Sequence, residues 1–450
     1  MKIGISSIHF DVPKIYLPIE DLAKERAIEP AKLEKGLGLQ RMSFPDVHQD
    51  VVCFAANAVI KLMETENLKP SQIDRIYVGT ESALDSSKPL ASFLLPILAE
   101  KFGDENPHCD VVDLTFACIG GVDALQNCLD YVRLRPEKKC LVVCSDFAKY
   151  DLSSTGEYTQ GAGAVAMLIE AHPKLLSFPL ESGVSSRGVF DFFKPKRSFQ
   201  KRQILNSNVA ADHFSHYEEE LLVAREQPVF DGQYSNQSYL ERVKEAYYDL
   251  KKQKASNTPC YKNWSLILMH LPYCFQARRM FWQLIAEEQP ELNSSFQGTT
   301  EADKWKAFSK SEAYKKIVQE KIYPAEIASG KVGNIYTGSL FLGLLSALYF
   351  SAKENQNLSK QTLGFMAYGS GAKAKVFEAE VEAEWKEQIL KTNLFETLEK
   401  AQAISFETYK DLYLKRTNKS VLTVKNEVYL KRVEKENSAT YGARFYAIAN

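Results

Sequence analysis

The stretch TFACIGGVDALQNCLDYV (115–132) passes from small residues through two glycines into a helical pattern of apolar residues. The stretch GNIYTGSLFLGLLSALYF (333–350) has the same design much later in the chain. Two segments of one design predict two related units, each with a helix that begins just after a tight turn of small residues.

Two further pairs of segments occur in the same order around these helices. An apolar, β-branched run in DRIYVGTES (74–82) precedes the first helix, and NWSLILMHLPY (263–273) precedes the second. After the helices, GAGAVAMLI (161–169) matches GSGAKAKVF (369–377). Three pairs in one order predict an internal duplication of an alternating α/β unit. The alternative is that βα units resemble one another generically, and the strand order of the two halves decides between these readings.

We therefore predict an α/β fold of two halves, residues 1–170 and 171–450. The charged segment at about 196–227 interrupts the second half, and we expect a surface excursion with an amphipathic helix at 213–226. The last part, at about 379–450, alternates charged and aromatic residues, which predicts a strand-rich extension packed on the body.

The composition is that of a folded protein that does not depend on a polyanionic partner. The 450 residues are 45% hydrophobic and 11% aromatic, and 56 basic side chains against 57 acidic ones leave a net charge of −1. This balance argues against nucleic acid or an anionic membrane as the main partner.

Other features favour a cytoplasmic protein. The most apolar long run, within 336–350, is shorter than the roughly 20 residues of a membrane span, so it predicts a buried helix. The start MKIGISSIHFDVP has no signal-peptide pattern. Eight cysteines without a CxxC or a Cys/His zinc spacing predict reduced thiols, with neither a disulfide scaffold nor a metal site.

Cys118 lies where the first helix begins, and two interpretations of it are open. Free cysteine is most often a small buried residue. A thiol at a helix N-terminus, however, lies near unpaired N–H groups and the positive end of the helix dipole, which favour the thiolate. Gly120 and Gly121 would also let a substrate carbonyl approach the backbone closely, as an oxyanion hole requires.

Glu81 and His270 end the paired apolar strands. Each has an ordinary explanation, a solvated strand end or helix cap for the glutamate and a satisfied core group for the histidine. If a pseudo-twofold axis relates the two halves, both side chains and Cys118 meet in one pocket, where Glu81 could transfer protons and His270 could donate a hydrogen bond to a carbonyl.

Two further turns carry polar groups that could bind a substrate. Asn334 and Tyr336 in GNIYTGS precede the second helix, and by themselves could be turn and cap residues. Ser370, in AYGSG (367–371), could belong to a cradle for a phosphate or carboxylate, or to a tight strand turn.

Together these residues resemble the thiolase superfamily and, more narrowly, the 3-hydroxy-3-methylglutaryl-CoA synthase family. The motifs that carry the resemblance are VGTES, FACIGG, GEYTQGAGAVAML (156–168), MHLPY, GNIYTGSLFLGLLS, YGSGA, DFFKP (191–195) and PVFDGQYSNQSYL (228–240). The resemblance implies a duplicated five-layer αβαβα fold and a homodimer, with CoA thioesters as substrates and no cofactor.

The resemblance also implies a role for each residue. Cys118 would carry the acetyl group of acetyl-CoA as a thioester, and Glu81 would act as the general acid/base that lets the acetyl carbon attack acetoacetyl-CoA. His270 would hold and polarise the acetoacetyl thioester, with Asn334 as a second polar contact. Further substrate contacts are expected from Tyr336, Ser370 and Gly161.

The chain departs from the family in two places. The link 196–227 is much longer than the family's, and Phe275 stands where the family usually has a CoA-binding lysine. Arg278 and Arg279 could bind the CoA phosphates instead. Alternatively, an acyl carrier protein delivers the substrates, as in β-branching synthases of polyketide assembly. A third reading is a non-catalytic relative that binds acyl thioesters.

Overall fold

The computed structural model describes residues 1–450 except 202–218, 292–295, 297 and 299. Its strands are β1 (Ile3–Asp11), β2 (Ile15–Pro18), β3 (Arg41–Ser43), β4 (Arg75–Gly79), β5 (Asp110–Leu114), β6 (Cys140–Ala148), β7 (Gly161–Ala171), β8 (Leu176–Ser177), β9 (Ser182–Ser186), β10 (Phe192–Phe193), β11 (Arg197–Gln200), β12 (Glu220–Val223), β13 (Val229–Phe230), β14 (Trp264–Met269), β15 (Thr362–Gly369), β16 (Lys373–Val381), β17 (Gln402–Ala403), β18 (Glu427–Val433) and β19 (Arg444–Ala449).

The α-helices in the same residues connect these strands and cover the sheet. They are α1 (Ile19–Glu25), α2 (Pro30–Leu37), α3 (Val51–Thr65), α4 (Leu90–Phe102), α5 (Gly120–Leu134), α6 (Gly232–Gln253), α7 (Gln276–Glu288), α8 (Glu301–Phe308), α9 (Glu312–Ile317), α10 (Tyr323–Val332), α11 (Ser339–Lys353), α12 (Trp385–Leu390), α13 (Leu394–Glu399) and α14 (Phe406–Tyr413).

The main sheet repeats one strand order in its two halves. In the first half, β1, β7, β6, β4 and β5 are neighbours in that order, antiparallel up to β6 and parallel beyond it. In the second half, β9, β16, β15 and β14 follow the same pattern, antiparallel up to β15 and then parallel. The short strand β8 pairs with both β1 and β16 and so joins the halves. This shared order confirms the predicted duplication, while the division near residue 170 stays a prediction.

Helices and half-sheets stack in five layers. The central layer holds α5, α10 and α11, which pack between the inner faces of the two half-sheets. Outside the first half lie α3 and α4, and outside the second lie α6 and α7. The inner strands β1, β6 and β7 are largely buried on both faces. In β6, for example, Val142 faces the central helices and Leu141 the outer ones. The αβαβα architecture expected from the resemblance is confirmed.

The apolar run around 336–350 forms α11 in the central layer, where its side chains pack on both half-sheets. Among the described residues, no helix combines the length and the apolar character that a membrane crossing requires.

The C-terminal part differs from the strand-rich extension that we predicted at about 379–450. It carries the helices α12, α13 and α14, and its longer strands are confined to the antiparallel hairpin β18–β19. Ser405 caps α14 by accepting a hydrogen bond from the Thr408 N–H, and Tyr409 and Leu412 are buried on one face of that helix. A spacing of three residues between these side chains is helical, and the charged residues between them gave a false impression of alternation.

Residues 196–201 and 219–227 of the excursion at about 196–227 belong to the described part of the chain. Strands β11 and β12 form an antiparallel pair, so the helix predicted at 213–226 is wrong for Glu220–Val223. The rest of that helix prediction, residues 213–218, lies outside the described residues. Leu221 is buried whereas the next residue, Leu222, is exposed, as the alternation of side chains along a strand requires.

Candidate active site

Glu81 and Cys118 meet at the point where β4 ends and α5 begins. The thiol of Cys118 donates a hydrogen bond to Glu81 Oε1 across 3.1 Å. The glycines around them allow this close approach. A Cβ on Gly79 would lie 2.3 Å from the Gly121 nitrogen, and a Cβ on Gly121 would lie 2.3 Å from Cys144 Sγ. Side chains at these positions would therefore push the strand and the helix apart.

This packing changes the interpretation of the Gly-Gly pair. We expected Gly120 and Gly121 to open the backbone to a substrate carbonyl. A Cβ on Gly120 would instead lie 2.6 Å from the Leu114 carbonyl oxygen, and Gly121 is in contact with Cys144 and Thr337. Both glycines are thus needed for packing within the protein, whatever else they do.

The backbone of the cysteine turn is repeated in the second half. Ala117 and Tyr336 each have a left-handed backbone, with φ of 40° and 42°, and each lies three residues before a central helix. Thr337 therefore occupies the position that corresponds to Cys118. Its hydroxyl lies within hydrogen-bonding distance of two acceptors, the Gly79 carbonyl at 2.9 Å and the Asp146 carboxylate, and can donate its one proton to either.

The thiol of Cys118 is held in its protonated form. Burial and the neighbouring Glu81 carboxylate raise the pKa of this thiol well above its ordinary value. This outcome is the opposite of our expectation that the start of the helix favours a thiolate. A base must therefore remove the proton during reaction, and Glu81 Oε1 is the atom in position to do so.

Asp146, near the end of β6, holds the loop that carries Glu81 in place through hydrogen bonds. Its fully buried carboxylate accepts hydrogen bonds from the Glu81 N–H at 2.8 Å, the Ser82 hydroxyl at 2.8 Å and the Thr337 N–H at 3.0 Å. Burial, with a smaller effect of Glu81, raises the pKa of Asp146 to about 6. The Asp146 carboxylate therefore connects Glu81 in the first half of the fold with Thr337 in the second.

Lys194 brings a positive charge to the same group. Its Nζ lies 3.2 Å from Glu81 Oε2 and 4.4 Å from the centre of the Tyr336 ring. Asp191 anchors the segment by accepting hydrogen bonds from the Tyr368 hydroxyl at 2.6 Å and the Gly371 N–H at 2.7 Å. Asp191 and Lys194 both belong to the motif DFFKP, but neither was predicted as a site residue.

His270 lies on the other side of the centre, directly after β14. Its Nδ1 is buried and makes no hydrogen bond to any described residue, and burial lowers the pKa of the ring to about 3. The imidazole is therefore neutral at physiological pH and can donate a hydrogen bond from one nitrogen only. Its carbonyl accepts a hydrogen bond from the Tyr239 hydroxyl at 2.7 Å.

Two stacked tyrosines lie beside His270. The rings of Tyr239 and Tyr368 stack 4.5 Å apart, and the His270 ring lies 6.2 Å from that of Tyr239. Burial raises the pKa of both tyrosines, and the hydrogen bond to Asp191 raises that of Tyr368 further. The meeting of His270 with Cys118 in one pocket stays a prediction.

Asn334 and Tyr336 shape the wall behind the thiol. Asn334 Oδ1 accepts hydrogen bonds from the Tyr336 N–H and the Ser339 hydroxyl, both at 2.9 Å, so its oxygen is committed to the turn. Tyr336 packs against Tyr150, with Cys118 beside them. Among the predicted contacts, Asn334 therefore retains only its amide N–H groups for another partner.

A cavity of about 1000 Å³ opens beside Glu81. Ala117, Ser370 and Gly371 also line it, whereas Cys118 and His270 are not among its lining residues. The predicted role of Ser370 in binding substrate stays a prediction. The stem of the excursion, at Arg225, lines the cavity as well. A cavity of this size suits an organic substrate.

Three other predicted contacts lie elsewhere. Gly161 packs against backbone, since a Cβ there would lie 2.7 Å from the Val332 carbonyl oxygen. Arg278 forms an ion pair with the buried carboxylate of Glu326, and Arg279 donates to the Gly36 carbonyl at 2.6 Å. The Arg278 guanidinium is therefore already occupied, which argues against our expectation that it binds CoA phosphates.

Within the described ranges, no group of three or more His, Cys, Asp or Glu side chains could hold a metal ion.

Comparison with known proteins gives a consistent family. The profile described as hydroxymethylglutaryl-coenzyme A synthase N terminal matches residues 1–174, and that described as the C terminal matches residues 204–442. A hydroxymethylglutaryl-CoA synthase of Haloferax volcanii is 30% identical over 431 residues, covering 91% of this chain and 89% of that protein. One of Enterococcus faecalis is 30% identical over 415 residues, covering 92% of each.

Solved structures agree with these sequence matches. MvaS in complex with 3-hydroxy-3-methylglutaryl coenzyme A has a TM-score of 0.83 at 29% identity, covering 100% of this chain and 99% of that one. The curacin biosynthetic pathway HMG synthase has a TM-score of 0.78 with 100% coverage of both chains, but at 18% identity this likeness shows the fold alone. Two matching profiles over most of the sequence, and relatives aligned over nearly its whole length, lead to one conclusion. The chain belongs to the hydroxymethylglutaryl-CoA synthase family.

Proposed function

We propose that this chain condenses acetyl-CoA with acetoacetyl-CoA and water to 3-hydroxy-3-methylglutaryl-CoA, with Cys118, Glu81 and His270 as its catalytic residues. The observation that carries the proposal is the 3.1 Å hydrogen bond from the Cys118 thiol to Oε1 of Glu81, a residue that lines a large cavity. In the cell this product leads into the mevalonate pathway, as the family implies.

The first step is acetyl transfer to the cysteine. Glu81 Oε1 takes the thiol proton, and the sulfur attacks the carbonyl carbon of acetyl-CoA. The bond between that carbon and the CoA sulfur breaks, and the proton on Glu81 leaves with the CoA thiol. The pKa of Cys118, raised by burial and by Glu81, means that the thiol becomes reactive only while this base accepts its proton.

The second step is carbon–carbon bond formation. Glu81, again a carboxylate, removes a proton from the methyl group of the acetyl-cysteine, and the resulting carbon attacks the ketone of acetoacetyl-CoA. His270, neutral because burial lowers its pKa to about 3, donates a hydrogen bond to the acetoacetyl thioester and polarises it. The Asn334 amide is proposed as a second donor, and Tyr336 and Ser370 as wall contacts. The proton that Glu81 took from the methyl group then passes to the new alkoxide, which completes the hydroxyl group and restores the carboxylate.

The last step is hydrolysis. Water attacks the thioester that joins the product to Cys118, the sulfur leaves as a thiol, and the free carboxylic acid of the product is formed. This chemistry uses CoA thioesters as substrates and assigns no step to a cofactor.

Loss of the acetoacetyl enolate absorbance in the presence of both free CoA esters tests this function. Turnover should disappear in Cys118→Ser, while the same substitution at Cys109, a half-buried thiol away from the centre, should leave it intact. Mass spectrometry should find one acetyl group, on Cys118, after incubation with acetyl-CoA alone. If the protein never becomes acetylated at Cys118, it is not this enzyme.

Delivery by an acyl carrier protein is the alternative to free CoA. Phe275 motivates it, since an uncharged ring packed on Gly38 replaces the lysine expected from the family, and the Arg278 guanidinium that stacks 3.8 Å above this ring is already paired with Glu326. The same assay with carrier-bound acetoacetyl groups separates the two. Turnover with carrier-bound substrate only would contradict the use of free CoA esters.

We also infer a cytoplasmic homodimer. The outer edge of β5 pairs with no other described strand, and Val112 on it is 38% exposed, so a second copy could pair there. All eight cysteines are free thiols, which suits a reducing compartment. Light scattering should give about twice the chain mass of 50.9 kDa, and the chain mass itself would contradict the dimer.

A further inference from the structure

Lys194 is the charged group that the proposed mechanism leaves without a role. Its ammonium nitrogen lies 3.2 Å from Glu81 Oε2, the oxygen that does not face the thiol, and donates to the Glu81 carbonyl at 3.2 Å. The side chain is only 18% exposed. Glu81 is therefore held between the thiol of Cys118 on one carboxylate oxygen and a cation on the other.

Lys194 is firmly held in this place. On one side of its segment, Asp191 binds the Tyr368 hydroxyl and the Gly371 N–H, at the turn that lines the cavity. The ammonium also lies over the face of the Tyr336 ring at 4.4 Å, which is a favourable cation–π position. These contacts leave the charge directed at one carboxylate rather than free in solvent.

The other groups around Glu81 are anionic or neutral. Asp146 approaches from β6 and Cys118 from the turn before α5, while Tyr150 and Tyr336 close the wall. Asp146 and the buried surroundings both oppose the negative charge of Glu81. Glu226, on the stem of the excursion, adds a further negative charge within reach of Lys194. Among the described neighbours of Glu81, Lys194 is the cation in direct contact.

We propose that Lys194 is a positioning residue for Glu81: its ammonium ion holds Oε2 and the backbone carbonyl of Glu81, so that Oε1 stays turned toward the Cys118 thiol. This inference rests on the proposed function, in which Glu81 must accept a proton twice. The same charge acts on the nucleophile. Burial and Glu81 raise the pKa of the Cys118 thiol, and Lys194 lowers it.

The test measures the acetylation rate of Cys118 by quenched flow and mass spectrometry, from pH 5 to pH 9. In Lys194→Met, the rate at neutral pH should fall about 10- to 100-fold, with little change in the KM for acetyl-CoA. The acid limb of the pH–rate profile should move up by about one to two pH units, because the Cys118 thiol, whose pKa Lys194 lowers, binds its proton more tightly without that cation.

Two further variants separate charge from packing. Lys194→Arg keeps the cation, so the acid limb should stay in place and the rate should recover to within about tenfold of the wild type. Lys262→Met removes the same charge from an exposed side chain that does not line the cavity, and should leave rate and profile unchanged. Circular dichroism melts identify any variant that is unfolded.

The outcomes distinguish this inference from the proposed function. If the wild type is not acetylated at Cys118, the proposed function fails first. If the wild type is acetylated but folded Lys194→Met keeps its rate and its acid limb, only the role of Lys194 is wrong. A lower rate with an unmoved acid limb in both Lys194→Met and Lys194→Arg would indicate a packing role and overturn the inference.

Discussion

The turns before the two central helices have one backbone but different chemistry. Ala117 and Tyr336 are both left-handed, three residues before α5 and α11, and are followed by Cys118 and Thr337. The thiol donates to Glu81, a group that can take its proton. The hydroxyl can donate its one proton either to the Gly79 carbonyl or to Asp146, which are structural partners.

This difference shows how a duplicated fold can acquire one active site rather than two. Thr337, in the second half, has its hydroxyl within hydrogen-bonding distance of the Gly79 carbonyl at the end of β4 and of the Asp146 carboxylate. Asp146 in turn holds the Glu81 N–H. The second turn therefore supports the position of Glu81, and in the proposed function only the first turn carries a nucleophile.

Exchanging the two turn residues is the strongest way to break this comparison. Cys118→Thr should lower turnover by at least about 10⁴-fold, because a hydroxyl beside a carboxylate is a far weaker nucleophile than a thiol. Thr337→Cys, added to that variant, should not restore it, since the side chain at 337 faces Asp146 and the Gly79 carbonyl. Turnover and acetyl incorporation measure both.

The opposite result is equally clear. An acetyl group found on residue 337 of the double variant would show that the two turns are chemically equivalent. As a control, Thr337→Cys alone should still be acetylated at Cys118 only.

Much of this arrangement could be predicted because it is written in local patterns. Apolar strands followed by small-residue turns and helices occur twice, and their order implied both the duplicated sheet and the meeting of Glu81 with Cys118. The position of His270 on the corresponding strand, β14, led to its place on the opposite side of the centre.

The remaining features depend on contacts between residues far apart in the chain. Nothing near Lys194 in the sequence indicates that it reaches Glu81, 113 positions earlier. Arg278 looked free for a phosphate because its partner Glu326 lies on another helix. The raised pKa of Cys118 likewise comes from burial, which a helix start does not reveal.

The ends of the paired strands β4 and β14 differ in charge, which gives a second prediction. His270 has a pKa lowered to about 3 by burial, so the folded protein cannot take up the proton that an unfolded chain binds near pH 6.5. This residue should therefore cost about 2–3 kcal/mol of unfolding free energy as the pH falls from 6.5 to 4.5.

Chemical denaturation of His270→Asn and the wild type at both pH values measures this loss. The variant should lose less stability on acidification, whatever its stability at neutral pH. His172→Asn is the matched control, since His172 is exposed and has a left-handed φ of 55°, which asparagine adopts readily. Equal acid sensitivity of His270→Asn and the wild type would contradict a neutral buried ring.

The central helices themselves differ in how closely they approach the sheet, and two glycines sharpen that comparison. Gly121 near the start of α5 would place a Cβ 2.3 Å from Cys144 Sγ, so Gly121→Ala should destabilise the protein by about 1–3 kcal/mol and disturb the Cys118 turn.

Gly343 in α11 corresponds to Ala124 in α5, four residues into each helix. Its Cβ would meet only ordinary contacts with Ala325 at 3.6 Å, so Gly343→Ala should stabilise by up to about 1 kcal/mol. Thermal and urea unfolding of both variants checks the opposite signs, and two equal losses of stability would show that the first helix is packed no closer than the second.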